Sequence, residues 1–359
     1  MNESAYLQLY RKIRQEIIEG YRPWGSKLPS RRICALENGV SETTVLHAYE
    51  ILCDEGYIAS RDRSGYYVCY REREMAVPTE MPEQPPVPLQ SANAGAESLP
   101  FPTYARAMRR VLTQYGPELM VRSPNSGCGA LRGALAEYLA AERGIRVLPE
   151  CIIIGSGAEY LYSLIVQLLG RDRPFALEDP SYHKIRQVYE ANGAVCELLP
   201  LDQSGIRLDA LAASRAGVLH VTPFRSYPSQ ITASASRRRA YVQWALDRDG
   251  WVVEDDFDSE FSPSSKAEDT VFSLAPQGRV IYVGTFSRTV APSIRVGYMV
   301  LPEALTMPFC QKVGFYSCTV PVTEQYLLAE LIRSEEYTRH INRIRRRRRQ
   351  YRETREETE

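Results

Sequence analysis

Residues 284–298 read GTFSRTVAPSIRVGY. A hydroxyl cluster (Thr285, Ser287, Thr289) and two guanidiniums (Arg288, Arg295) sit between two apolar runs, 280–283 and 296–301. Each run reads as a buried strand, so the polar stretch is a loop at strand ends. Donors of this kind suit a phosphate-bearing ligand, because their charge-assisted bonds to phosphate oxygens are strong. Open α/β sheets also bind ligands at the carboxyl ends of their strands. An ordinary polar loop has the same composition, so the surrounding chain has to decide.

The surrounding chain repeats the pattern. Ser156-Gly157-Ala158 follows an apolar run (152–154) and opens a helical stretch (158–169), whose free N–H groups would suit an anion. Glu178-Asp179-Pro180-Ser181-Tyr182 follows run 175–177, Thr222-Pro223 follows 218–221, and Glu254-Asp255-Asp256-Phe257 follows 251–253. With 195–199 and 298–301, these runs alternate with amphipathic helical segments. That alternation implies a largely parallel sheet covered on both faces.

The first 70 residues are organised differently. Tyr6, Tyr10, Ile13 and Ile17 recur at helical spacing, and Gly20 ends that helix. Ser30 is placed to cap a second helix carrying Ile33 and Leu36. Asn38-Gly39-Val40 makes a tight turn. Ser41 is placed to cap a third helix, 42–54, with Val45, Tyr49 and Leu52 inward, and Gly56 stops it. Runs 57–60 and 66–70 form a hairpin around turn 61–65. Helix, helix, turn, helix, hairpin is a winged helix-turn-helix, whose third helix enters a DNA major groove. A small protein-binding domain is the alternative.

The phrase LPSRRICALENGVSETTVLHAYEILCDEGYIASRDRSGYYV resembles the DNA-binding domain of the GntR family of bacterial regulators. The resemblance implies that Ser30, Arg32, Ser41, Thr43, Thr44, Ser64 and Gly65 face double-stranded operator DNA. Glu42 and Leu46 stand where many members carry basic residues. Residues 1–70 hold nine Lys/Arg and nine Asp/Glu, so counterion release by one copy is expected to be modest.

Further along, EDPSYH, VTPFRSYPSQ, EDDFDSEF and YVGTFSRTVAPSIRVGY resemble the large domain of fold-type I aminotransferases, in the order found in the MocR subfamily of GntR-type regulators. The resemblance implies a pyridoxal 5'-phosphate pocket. Asp255 matches the partner of the pyridine nitrogen, Ser287 and Arg295 match phosphate ligands, Gly157 and Ala158 supply backbone donors, and Tyr182 lies beside the ring. Arg288 occupies the Schiff-base lysine position. A guanidinium stays protonated, so no covalent aldimine and no catalytic residue are expected, and cofactor binding is non-covalent at most. Phe257, the PFRSYPSQ phrase and Cys128 are further departures. An active pyridoxal-phosphate aminotransferase is the disfavoured alternative. Arg288 beside Arg295 is expected to favour a small anionic effector.

The expected fold is α/β. A winged helix-turn-helix (1–70) and a Pro-rich linker (71–103) precede an aminotransferase-like large domain with a mostly parallel sheet (104–323). An Arg-rich helix (324–359), read as solvated, leads toward a truncated C-terminal small domain. Composition agrees with a globular chain: 359 residues, 44% hydrophobic, 25% charged and formally neutral. No apolar run approaches a membrane span, and eight scattered cysteines without a CxxC pair imply reduced thiols and no metal. The expectation is a cytoplasmic homodimeric regulator with DNA as partner.

Overall fold

Leu9, Ile13 and Ile17 fall at four-residue intervals. In the computed structural model, which describes residues 4–62, 64–70, 97–262, 268–275 and 278–356, they form the buried stripe of helix α1 (Ala5–Ile18). The chain divides into two units, Met1–Pro88 and Leu89–Glu359. In the first, α1 packs on α3 (Glu42–Asp54), whose Val45, Ala48, Tyr49 and Leu52 are fully buried. Between them α2 (Arg31–Asn38) buries only Cys34 and Ala35. Those small side chains let α2 approach closely, and Ile33 and Leu36 stay 51% and 76% exposed on its outer side. Strands β1 (Ile58–Arg61) and β2 (Gly65–Val68) pair antiparallel as a hairpin.

The second unit is built on an eight-stranded sheet in the order β3-β10-β9-β8-β7-β4-β5-β6. Its strands are β3 (Ile152–Gly155), β4 (Phe175–Asp179), β5 (Cys196–Asp202), β6 (Gly205–Ile206), β7 (Val218–Val221), β8 (Trp251–Asp256), β9 (Val280–Thr285) and β10 (Gly297–Val300). Strands β5, β4, β7, β8 and β9 run parallel. Strand β10 is antiparallel to both neighbours.

Alternation along the strands sorts the core into layers. Ile153, Leu177, Val253, Ile281 and Met299 face α6 (Ala158–Leu169), α7 (His183–Ala191) and α10 (Glu303–Lys312). Ile152, Ile154, Tyr282 and Val300 face α5 (Gly129–Arg143), α11 (Val322–Arg333) and α12 (Glu336–Glu356). Ala176, Leu219 and Val252 lie under α8 (Leu208–Ala213) and α9 (Ala235–Asp247).

Two segments behave differently from the sequence reading. Residues 97–103, inside the expected linker, belong to this unit. Leu99 is buried and its N–H donates to the Val290 carbonyl at 2.8 Å, just before α4 (Phe101–Tyr115). Residues 71–96 lie outside the described residues. The single C-terminal helix is two helices broken at Glu335, which has a positive φ of 58°. Nor is its arginine run simply solvated. Tyr337, Ile341 and Ile344 of α12 are buried, and Arg345 and Arg348, on the same helical face, are only 16% and 15% exposed. Among the described residues no helix is long and apolar enough to cross a membrane, and no group of three His, Cys, Asp or Glu could hold a metal.

Candidate functional site

On the first unit, Ser30 and Ser41 begin α2 and α3 as N-caps. Ser30 Oγ accepts from the Ile33 N–H at 3.3 Å, and Ser41 Oγ accepts from the Thr44 N–H at 3.1 Å. Each cap satisfies one of the amides that a helix start leaves open and leaves others for an outside acceptor. Arg32 and Thr43 are exposed beside these starts; Thr44 is half-buried, its hydroxyl 2.8 Å from Ser41 Oγ. Glu42 is the first residue of α3, where a carboxylate complements the positive end of the helix dipole. At the wing, Ser64 Oγ meets Tyr67 Oη at 2.7 Å, and Gly65 takes φ of 105° with Lys27 packed against it. Arg61 lies over the Tyr67 ring. The seven residues expected to face DNA are all described, and none is fully buried.

On the second unit, the carboxyl ends of β4, β7, β8 and β9 surround a cavity of about 500 Å³. Ala158, Tyr182, Asp255, Ser287, Arg288 and Arg295 line it together, with Phe257 and Thr222. Gly157 is the N-cap of α6, next to the lining residue Ala158 and against Arg295. Its φ is 93°, and a Cβ there would sit 3.1 Å from Arg295 Nη2. Around it gather the start of α6, Ser287 Oγ and Arg295, whose Nη1 donates to that hydroxyl at 3.3 Å.

Loop 284–298 is held from behind. Phe286, Val290 and Ile294 are buried in the core, and Thr289 Oγ1 meets Tyr337 Oη at 3.0 Å. Successive residues of β8 point to opposite faces. Asp256 therefore turns away, to Arg143 Nη2 at 2.7 Å and the Tyr282 hydroxyl at 2.7 Å. Asp255 turns to the cavity, where Tyr162 Oη donates to it at 2.5 Å. His220 Nε2 lies 3.8 Å from Asp255 and has no hydrogen-bond partner, while its Nδ1 meets Tyr189 Oη at 2.7 Å.

Arg288 does not present the free positive charge expected of it. Its Nη2 pairs with Glu97 Oε2 at 2.8 Å and its Nε with Asp258 Oδ1 at 3.3 Å. Arg348 of α12 grips Glu97 through Nε and Nη2, at 2.7 and 2.9 Å, and also bonds Asp258. Arg225, with φ of 50°, joins Asp258 at 3.0 Å and Gln230 at 3.2 Å. The Arg348 bonds hold the Glu97 carboxyl below its ordinary range.

Glu178, at the end of β4, accepts from Ser226 Oγ at 2.6 Å, and burial pushes its carboxyl up to about 8. Lys184 lies near the Arg295 end, 3.2 Å from Glu159, and that bond keeps its ammonium charged.

Sequence reasoning missed Tyr162, His220, Asp258, Glu97 and Arg348. Arg225 was visible only as a departure in PFRSYPSQ. A signal existed for Arg348: Ile341, Ile344, Arg345 and Arg348 repeat at helical spacing and share the buried face. For Glu97 there was none.

The two ends of the cavity differ in their fit to pyridoxal phosphate. The α6 start, Ser287 and Arg295 fit a phosphate. Asp255, which has no Lys or Arg partner among the described residues, fits a cationic ring N–H. A guanidinium already paired to two carboxylates does not fit covalent attachment.

Residues 90–357 match the family described as "Aminotransferase class I and II", and residues 5–68 match "Bacterial regulatory proteins, gntR family". An uncharacterized HTH-type transcriptional regulator of Bacillus subtilis, YdeL, is 33% identical over 95% of this chain and 76% of its own length. The pyridoxine biosynthesis transcriptional regulator PdxR of Corynebacterium glutamicum is 30% identical over 96% and 76%. The probable rhizopine catabolism regulatory protein MocR of Rhizobium meliloti is 28% identical over 94% and 74%. Among solved structures, kynurenine aminotransferase of Pyrococcus horikoshii superposes with a TM-score of 0.63 at 25% identity. The α-aminoadipate aminotransferase of Thermus thermophilus does so with 0.61 at 28%. Each alignment covers 69% of this chain and 64% of the enzyme, so the chain spans less than two thirds of those enzymes' length.

Proposed function

The chain belongs to the aminotransferase class I and II family, joined to a gntR-family head as in MocR-type regulators, and from that premise we propose how it works as a DNA-binding transcriptional regulator. The head reads operator DNA through the starts of α2 and α3 and the wing. Ser30, Ser41 and Thr44 fix the helix starts, whose remaining amides receive backbone phosphate. Arg32 and Thr43 reach outward, and Ser64 and Gly65 shape the wing tip. Glu42 disfavours phosphate beside it and suits a cytosine N4 donor. A homodimer would bring two such heads to one operator, which suits a head of zero formal charge.

The large unit serves as a ligand-binding module and not as a transaminase. Gly157, Ala158, Ser287 and Arg295 hold a phosphate, Asp255 holds a ring N–H, and Tyr182 lies along the ring. Pyridoxal phosphate, when bound, would supply an electron sink; none of the described residues that line the cavity is a lysine placed to attach it covalently. The observation that carries this reading is the state of Arg288, which is permanently charged and already paired with Glu97 and Asp258.

Two experiments test the two halves. The full chain should retain DNA from its own upstream region at a salt concentration that releases random DNA; equal retention of both would remove the regulator reading. For the cavity, protein mixed with pyridoxal phosphate and treated with borohydride should carry no adduct on a cavity lysine, whereas Arg288→Lys should gain one. An adduct on a lysine at the cavity of the parent protein, Lys184 included, would restore the enzyme reading.

A further inference from the structure

The five side chains of the Arg288 cluster do not balance. Arg225, Arg288 and Arg348 carry three positive charges; Glu97 and Asp258 carry two negative ones. The remaining charged side chains that line the cavity are engaged elsewhere. Asp255 lies with Tyr162 and His220, and Glu159 lies with Lys184 and Arg295. One positive charge is therefore left over among the described residues at this end.

The surplus is accessible. Arg225 and Arg288 both line the cavity, with side chains 40% and 38% exposed. A guanidinium has five N–H donors. Arg225 spends two on Asp258 and Gln230, and Arg288 spends two on Glu97 and Asp258. Each therefore keeps N–H groups that no acceptor among the described residues takes up. Their placement is built. Asp258, 7% exposed, fixes both guanidiniums from below. Arg225 is held in the left-handed region, uncommon for a side chain of its size, with its N–H on Thr232 Oγ1 at 3.2 Å.

We propose that Arg225 and Arg288 form a carboxylate subsite, and that the ligand of this cavity is a phosphorylated ring compound bearing a carboxylate at the end remote from its phosphate. The inference rests on the phosphate-and-ring reading of the other end and adds the class of ligand. A planar guanidinium pair matches a carboxylate in geometry as well as charge. A ligand that already carries its carboxylate needs no lysine to make a bond. The residue that removes covalent chemistry thus supplies recognition in its place. An uncharged or cationic substituent at this end would leave the surplus charge unmet.

The test compares two compounds that differ in this group. Pyridoxamine 5'-phosphate has the phosphate, the ring and an amine; N-(5'-phosphopyridoxyl)-L-alanine adds a carboxylate on that amine. Calorimetric titration of the full chain should show the alanine adduct binding at least about tenfold more tightly, the range of one charge-assisted hydrogen bond. Arg225→Gln removes the surplus charge, and the affinity ratio should fall to about one. Glu97→Gln raises the surplus, and the ratio should increase. A purely structural role for the cluster would not move the ratio in opposite directions. Equal affinity of the two compounds for the parent protein would overturn the carboxylate subsite while leaving the phosphate end intact. Failure of both to bind would overturn the phosphate-and-ring reading and this inference with it.

Discussion

Glu178, Glu254 and Glu260 are buried carboxyls, and burial is the main reason that they titrate at about 8, 7 and 7. Among the described residues each has neutral donors and no ion-pair partner: Ser226 for Glu178, the Val271 and Phe272 N–H groups for Glu254, Tyr138 and Tyr337 for Glu260. The sign follows from linkage. A carboxyl raised in the folded state is most favourable to folding below its ordinary value near 4.5, and that contribution is lost as pH rises through the folded value. Stability of the second unit should therefore decline from about pH 5 to about pH 8. Glu178→Gln keeps a neutral group in the same place and should flatten part of that decline. Thermal melts across this range check it; parallel curves for parent and variant would count against the assignment. Asp255 and Asp256 show how much one residue step decides. Adjacent in sequence and alike in chemistry, they face opposite sides of β8, one toward the cavity and one toward Arg143.

At the scale of elements, α3 and α12 carry different kinds of argument. Helix α3 was legible in full, from the Ser41 cap to its end near Asp54, because a capping hydroxyl and a clear apolar stripe coincide. Ser41→Ala should cost about 1 kcal/mol by removing the cap. It should also weaken operator binding, since the helix start would fray. Urea unfolding and DNA titration of the same protein measure both, and an unchanged operator affinity would separate the cap from recognition. Helix α12 was only half legible. Its arginines look alike in sequence, yet Arg348 bonds Glu97 and Asp258 while others face outward. Arg348→Leu should destabilise the second unit by about 2 kcal/mol. That is below the cost of breaking a fully buried pair, because Glu97 remains 28% exposed. Glu97→Gln in the same background should recover part of the loss, since the unpaired carboxylate is then gone.

For the whole molecule, charge distribution sets how DNA is held. Residues 1–70 are formally neutral, but Lys27, Arg31, Arg32 and Arg61 are exposed around the two helix starts and the wing. Four phosphate contacts per head imply a slope of log affinity against log salt near about −4. Fluorescence anisotropy with an operator fragment over a salt series gives that slope per head. A value near zero would place these cations away from the backbone. The sheet makes the corresponding point for the second unit. Five separate strand ends were visible as polar phrases, and the strand order brings residues of all five around one cavity.

What the amino-acid order determined by itself was local. Seven of the eight strands of the large sheet, the three helices of the head and the loop 284–298 follow from periodicity, caps and turn residues, which act over a few positions. Ser287, Arg295, the α6 start and the phrase 254–257 could be named from their places at strand ends; the choice of Asp255 within that phrase came from the resemblance to fold-type I aminotransferases. The tertiary structure alone decided the partners of Arg288. Glu97 precedes it by 191 positions and Asp258 by 30, and Arg348, which shares both carboxylates, follows it by 60; no periodicity spans such distances. Charge pairing depends on separation in space, so only the folded chain turns an apparent cationic loop into a paired cluster with one charge to spare.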